Sequence, residues 1–251
     1  GTGNSDVNIA GITDPGTTDF IRAYWNLQEL TTDEGVCAWG DANLLSFHSM
    51  NWTSSNVLID AVYARSLYQI TVCNEFIRES TDEKLSSRGI TGKDADDIKH
   101  YRAEARFLRA YQYWVLMDLF GNPAFVTEND AIGKYIPPQI QRADLFKYIE
   151  SELKDIDADL VAPKQNEYAR VDQAADWALL ARLYLNAEVY TGIARYTDAI
   201  TYASKVINAG YSLMSHYKNL FTSDNDVNNP EIILPIAYDA TNSQNYGGTT
   251  F

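Results

Sequence analysis

The stretch TTDEGVCAWGDAN, residues 31–43, sets one indole, Trp39, among Asp33, Glu34, Asp41 and Asn43, in a region with no sustained apolar period. An indole face can stack on the C–H face of a pyranose ring, while carboxylates and amides exchange hydrogen bonds with its hydroxyls. The pattern suits a carbohydrate surface. The alternative is that Trp39 plugs the core beneath the loop. Elsewhere the chemistry-bearing residues point less far. DNDVNNPE, residues 224–231, begins like an EF-hand loop, but Asn229 stands where that loop needs glycine and Pro235 where it needs the bidentate glutamate. An Asx-rich turn is the expected reading, with a looser cation site as the alternative. DIDAD, residues 155–159, is expected to be a solvated helix face. His48, His100 and His216 lie in unrelated segments. Carboxylates are numerous enough to compose a glycosidase pair, but sequence cannot set two of them across one bond. The chain carries no GxGxxG, P-loop, HExxH or GxSxG pattern, and Gly247-Gly248 lacks the strand–loop–helix setting of a phosphate cradle. No catalytic residue, metal ligand or cofactor is assigned.

Charge narrows the partners. The 251 residues hold 20 Lys+Arg against 34 Asp+Glu, a net charge of −14, so the basic footprint that nucleic acid or anionic lipid requires is missing. Cys37 and Cys73 form no CxxC and lie far apart, which argues against a disulfide framework, and with only 3 histidines against a Cys/His zinc site. The 17 Tyr and 5 Trp suit a core, an interface or a sugar-stacking surface equally. The longest aromatic-apolar run, Tyr113 to Met117, is bounded by Gln112 and Asp118 and is far too short to span a bilayer.

The elements that must position these residues read as helices. A short helix is expected over residues 18–27 within an otherwise irregular first fifty residues. NWTSSN then starts a helix, with Thr53, Ser54 or Ser55 as cap candidates, and the sequon at Asn51-Trp52-Thr53 is taken as chance. Apolar residues recur at helical spacing from Val57 to Ile77, and RESTDEKLSSRGITGKD is expected to be a polar loop. A second helix runs over residues 94–120 and stops at Gly121-Asn122-Pro123, closing a helical hairpin. Further helices are expected from Arg142, over 171–188 and over 196–209, with Gly210 as a stop. Residues 211–214 and PEIILPIAYD read as extended or strand.

Two features link these helices. Trp177, Leu180, Ala181 and Tyr184 match the W-x2-L-G-x2-Y spacing of the first helix of a tetratricopeptide repeat, with Ala for Gly, and Tyr196, Ala199 and Ala203 suit its second helix. An ordinary amphipathic hairpin is the alternative. The helix through Tyr113 is apolar and aromatic on nearly every side, as expected when stacked pairs cover both faces. Its basic stripe, Arg102, Arg106 and Arg109, is expected to pair with acidic neighbours such as Glu104 or loop carboxylates, an anion site being the alternative.

AEARFLRAYQYWVLMDLFGNPAFVTE, ARLYLNAEVYTG, YASKVINAGYSL and EIILPIAYDATNSQNYGGTTF together resemble the SusD/RagB family of Bacteroidetes outer-membrane nutrient-binding lipoproteins. The resemblance covers nearly the whole chain. It implies a mainly α fold of tetratricopeptide-like stacked hairpins with long irregular loops, residues 1–251 forming the N-terminal portion of one such domain. It also implies a surface lipoprotein without catalytic activity or cofactor, which binds a glycan and hands it to a TonB-dependent transporter. The family's lipidated cysteine and first helix, and its second half, are expected to lie outside these residues. Asp14 and Arg22 fall where starch-binding members contact sugar. Such members carry D-E-x-x-W-x-W followed by an amide. Here Cys37 replaces the first Trp, Trp39 keeps the second and Ala42 takes the amide position. The implied ligand site is therefore Asp14, Arg22, Trp39 and Asp41, with starch itself in doubt. A helical interaction scaffold and a helical glycoside hydrolase remain alternatives.

Overall fold

A computed structural model describes residues 19–133 and 136–237. They form nine α-helices and a 3-10 helix at Tyr217–Phe221, and their one β pairing is an isolated antiparallel bridge between Ala124 and Gln139. The chain is mainly α, as expected. It divides into two compact units, residues 1–69 with 237–251, and residues 70–236.

The first unit holds α1 (Phe20–Glu29), α2 (Ala42–His48) and the early turns of α3 (Val57–Glu79), which runs on into the second unit. Ala23 and Leu30 are fully buried, as are Leu44 and Phe47 almost entirely, and α1 packs on α2. α2 was not legible: residues 31–51 read as irregular because seven helical residues give too short a period. The cap of α3 also differs from expectation. Asn56, not Thr53, Ser54 or Ser55, accepts from the Leu58 amide, at 2.9 Å. Its amide group donates 3.0 Å bonds to the Asn43 carbonyl and to Ser46 Oγ, so one residue caps α3 and ties it to α2.

The second unit contains the later turns of α3, then α4 (Asp82–Ser87), α5 (Lys93–Phe120), α6 (Arg142–Ile156), α7 (Gln173–Leu185), α8 (Ala187–Thr191) and α9 (Tyr196–Asn208). α4 is an addition to the expected polar loop. Thr81 accepts from the Lys84 amide and two acids fill the first turn, a cap signature within six residues. α5 ends where Gly121-Asn122-Pro123 predicts. Gly121 has φ +73°, and a Cβ there would lie 3.3 Å from Arg142 Nη2.

From Gln112 to Met117 every residue of α5 is buried, which accounts for the composition of that stretch. Tyr113, Trp114, Val115, Leu116 and Met117 are buried in succession, with α6 and α7 packed against the helix. Of the extended or strand reading of PEIILPIAYD, no strand forms over the described part, and its last residues lie outside the described set. α7 packs extensively on α9 at the repeat-like positions: Leu180 and Tyr184 are fully buried and Ala199 nearly so. Trp177 Nε1 donates to Asp157 Oδ1 at 2.7 Å.

The arginine stripe of α5 is a set of buried and half-buried ion pairs. Arg102 meets Asp82 at 2.8 Å, and Arg106 makes a bidentate pair with Glu152 at 2.8 and 3.0 Å. Arg109, almost wholly buried, donates to Asn74 Oδ1 at 2.7 Å and Glu152 at 2.6 Å, and pairs with Glu128. Burial works against the Arg109 charge, yet Tyr148, Glu152 and Glu128 around it raise its pKa above the usual arginine value. Glu104 is not a partner of the stripe. It takes two 2.7 Å bonds from Arg170. DIDAD also departs from a solvated face: α6 ends at Ile156, Asp157 accepts from Trp177, and Asp159 meets Lys99 at 3.0 Å. The 224–231 segment is the expected Asx turn, with Asn229 Oδ1 accepting from the Glu231 amide at 2.9 Å.

Candidate functional site

The loop between α1 and α2 is irregular but pinned along its length. At its start Thr31 and Thr32 bond back to the last turn of α1, Thr32 Oγ1 reaching the Glu29 carbonyl at 2.7 Å. Thr32 Oγ1 also accepts from the Glu34 amide at 3.1 Å. Midway, the Cys37 amide donates to His48 Nε2 at 3.1 Å, which needs a ring with a free lone pair at that nitrogen. At its end Asp41 caps α2: Oδ1 accepts from the Asn43 amide at 2.8 Å and from Asn43 Nδ2 at 3.1 Å. Trp39 lies between the Cys37 tie and the Asp41 cap, so the backbone holding its ring is fixed on both sides.

Trp39 is not a plug under the loop. It is 51% exposed. The Arg22 guanidinium of α1 lies 5.2 Å from the centre of its ring, within cation–π range. No carboxylate pairs with Arg22 among the described residues, so its fork of donors stays available. The structure thus brings together two of the four site residues, Arg22 and Trp39. Asp41 stands two positions from Trp39, with Oδ1 engaged in the cap and Oδ2 without a partner among the described residues. Asp14 lies outside the described residues. Cys37 is half-buried, presenting a thiol rather than a ring where starch-binding patterns place the first Trp.

Two neighbours escaped the sequence reading. His48 carried no motif, and its role as the anchor of the Cys37 amide depends on the unforeseen α2. Trp25 is 51% exposed on α1, and a Cβ placed on Gly35 would lie 3.8 Å from its Cη2. Its i+3 spacing from Arg22 was the available signal. Among the described residues no group of three or more His, Cys, Asp or Glu could hold a metal ion. No described helix is long and apolar enough to cross a membrane.

A pinned loop that offers a half-exposed indole beside a guanidinium with no carboxylate partner among the described residues is an arrangement suited to holding a ligand. The family described as "Starch-binding associating with outer membrane", a SusD-like family, matches residues 14–185, and the chain belongs to it. Starch-binding protein SusD of Bacteroides thetaiotaomicron is 41% identical over 242 residues, 95% of this chain and 42% of that protein. A laminarin-binding SusD-like protein shares the fold with a TM-score of 0.73 at 21% identity, covering 90% of this chain and 48% of its own. Surface glycan-binding protein A from Bacteroides uniformis does so with a TM-score of 0.64 at 22% identity, over 78% of this chain and 41% of its own. The chain spans less than half the length of each.

Proposed function

We propose that this chain is the ligand-capturing part of a non-catalytic glycan-binding protein at the outer membrane, which passes oligosaccharide to a TonB-dependent transporter. The observation that carries the reading is the Arg22–Trp39 pair: a half-exposed indole, fixed by its loop, beside a guanidinium that no described carboxylate neutralises. The ring supplies a stacking face and the fork supplies directed donors for ring and hydroxyl oxygens. Asp41 Oδ2 would accept from a hydroxyl, and Asp14, which the family resemblance puts at a sugar-contacting position, would either accept from hydroxyls or orient the Arg22 fork. The 41% identity to a protein named as starch-binding makes α-glucans the first ligands to try. Cys37 in place of a second ring makes a site with less stacking area, so β-glucans belong in the same panel.

The test is calorimetry of the full-length protein with maltoheptaose, laminarihexaose and a xyloglucan oligosaccharide. Trp39→Ala is expected to weaken the best of these by about tenfold, if the roughly 1–3 kcal/mol of base–aromatic stacking transfers to sugars. Unchanged affinity together with a marked fall in melting temperature would show Trp39 to be structural. New reducing ends on incubation with these glucans would overturn the non-catalytic part. Extraction of the native protein without any co-purifying TonB-dependent transporter would overturn the partner.

A further inference from the structure

Trp25 is a large apolar side chain left 51% exposed on α1. α1 already buries Ala23, Asn26 and Leu30, and Trp25 stands off that face, half in solvent. It lies one helical turn beyond Arg22, so the two side chains leave the same side of α1. Its neighbour from the loop is Gly35, which has no side chain to cover the ring, followed by Val36, which is 83% exposed. Arg22 lies 5.2 Å from the Trp39 ring centre, and Trp25, three residues on along α1, has the Gly35 backbone at its tip. Two half-exposed indoles thus belong to the same unit as a guanidinium that has no carboxylate partner among the described residues.

We infer that Trp25 is a second stacking platform, so that the site holds successive sugar rings of one chain with Arg22 between them and selects oligosaccharides over mono- and disaccharides. The inference rests on the glycan-binding reading above and deepens it. The physics favours a chain ligand over a single sugar. Rings held on one rigid helix and a pinned loop engage the second sugar intramolecularly once the first is bound, so the second contact adds affinity without a second loss of translational freedom. A single sugar can use only one ring at a time. Gly35 fits the same purpose, since even a Cβ there would be in van der Waals contact with the tip of the Trp25 ring.

The experiment measures maltose and maltoheptaose, with laminaribiose and laminarihexaose as the β-linked pair, against the full-length wild type and the Trp25→Ala, Trp25→Phe and Trp39→Ala variants. Trp25→Ala is expected to weaken the longer probe by about tenfold while leaving the disaccharide nearly unchanged, and Trp25→Phe to keep most of the affinity. The melting temperature should stay within a degree or so of wild type. Loss of affinity in Trp39→Ala but not in Trp25→Ala would overturn the second platform and leave the glycan reading standing. Equal weakening for both ligand lengths, or a clear fall in melting temperature, would overturn it as well. Binding of none of the probes by the wild type would remove the glycan reading and this inference with it.

Discussion

The α1–α2 region of the first unit and the helical core of the second set Trp and Arg in opposite surroundings. In the first, Trp25, Trp39 and Trp52 are between 43% and 51% exposed, and Arg22 lies under an open ring with no described carboxylate. In the second, Trp114 is 6% exposed and Trp177 donates to Asp157, while Arg102, Arg106, Arg109, Arg170 and Arg195 each have a carboxylate partner. The difference lies in the surroundings. A cation surrounded by carboxylates is part of the scaffold, as are Arg142, which instead bonds the Val189 carbonyl, and Arg182, which stacks on Trp114. Arg22 has neither a described carboxylate nor a buried ring to hold it. Aromatic and basic composition alone does not separate the two uses.

The largest test of this contrast is to truncate one arginine from each unit. Arg109→Ala strips the guanidinium from Glu128, Glu152 and Asn74 in a buried setting and should lower stability by about 3–5 kcal/mol by chemical denaturation. Arg22→Ala removes no described ion pair and should change stability by about 0.5 kcal/mol or less. Similar losses for both would mean that Arg22 is also scaffold and would break the contrast.

A second test concerns a buried carboxyl group of the second unit. Asp176 on α7 is fully buried and neither carboxylate oxygen has a hydrogen-bond partner. Burial first, and Asp157 second, push its carboxyl up to about 8 against the pull of Lys205 from α9, with the Tyr202 hydroxyl of α9 also nearby. The folded protein therefore keeps a proton that the unfolded chain releases near the ordinary carboxylate value of about 4. The contribution to stability is complete below about 4, declines as pH rises from there to about 8, and is flat above. Asp176→Asn mimics the protonated form. Its stability difference from wild type should shift in its favour by a few kcal/mol, to order of magnitude, between about pH 4 and 8. A difference that does not vary with pH would show that Asp176 is charged and solvated in the fold.

How far the sequence carried this picture follows from element length. The long helices were legible because 13 to 28 residues display several turns of period, and the stop at Gly121-Asn122-Pro123 carried its own backbone chemistry. α2 and α4, of 7 and 6 residues, were not, since one or two turns show no period. Asn56 as the cap of α3 was missed because three hydroxyl residues just before it offered equally good local chemistry, and only the reach to Asn43 and Ser46 decides among them. At the site, the open ring of Trp39 was legible as a possibility from its polar neighbours. Its pairing with Arg22 is a long-range contact between helix and loop, entered only through family resemblance, and no spacing rule contains it.

The smallest effect lies at Asp41, which sits at the join between scaffold and site. Its Oδ1 caps α2 and its Oδ2 has no partner among the described residues, so the two oxygens can be tested apart. Asp41→Ala removes the cap and should cost about 1 kcal/mol of stability, enough to loosen the end of the loop that carries Trp39. Asp41→Asn keeps an oxygen for the Asn43 amide, and Asn is as good a cap as Asp, so stability should stay close to wild type. The amide has lost the charge and one of the two acceptor oxygens, however, and a hydroxyl that bonded to Oδ2 would now face either nitrogen or a weaker acceptor. Asp41→Asn with unchanged stability and a several-fold loss of oligosaccharide affinity would place Asp41 in the site beside Trp39. Full affinity in Asp41→Asn, with weakened binding only in Asp41→Ala, would make Asp41 a cap that serves the ligand solely by holding the loop.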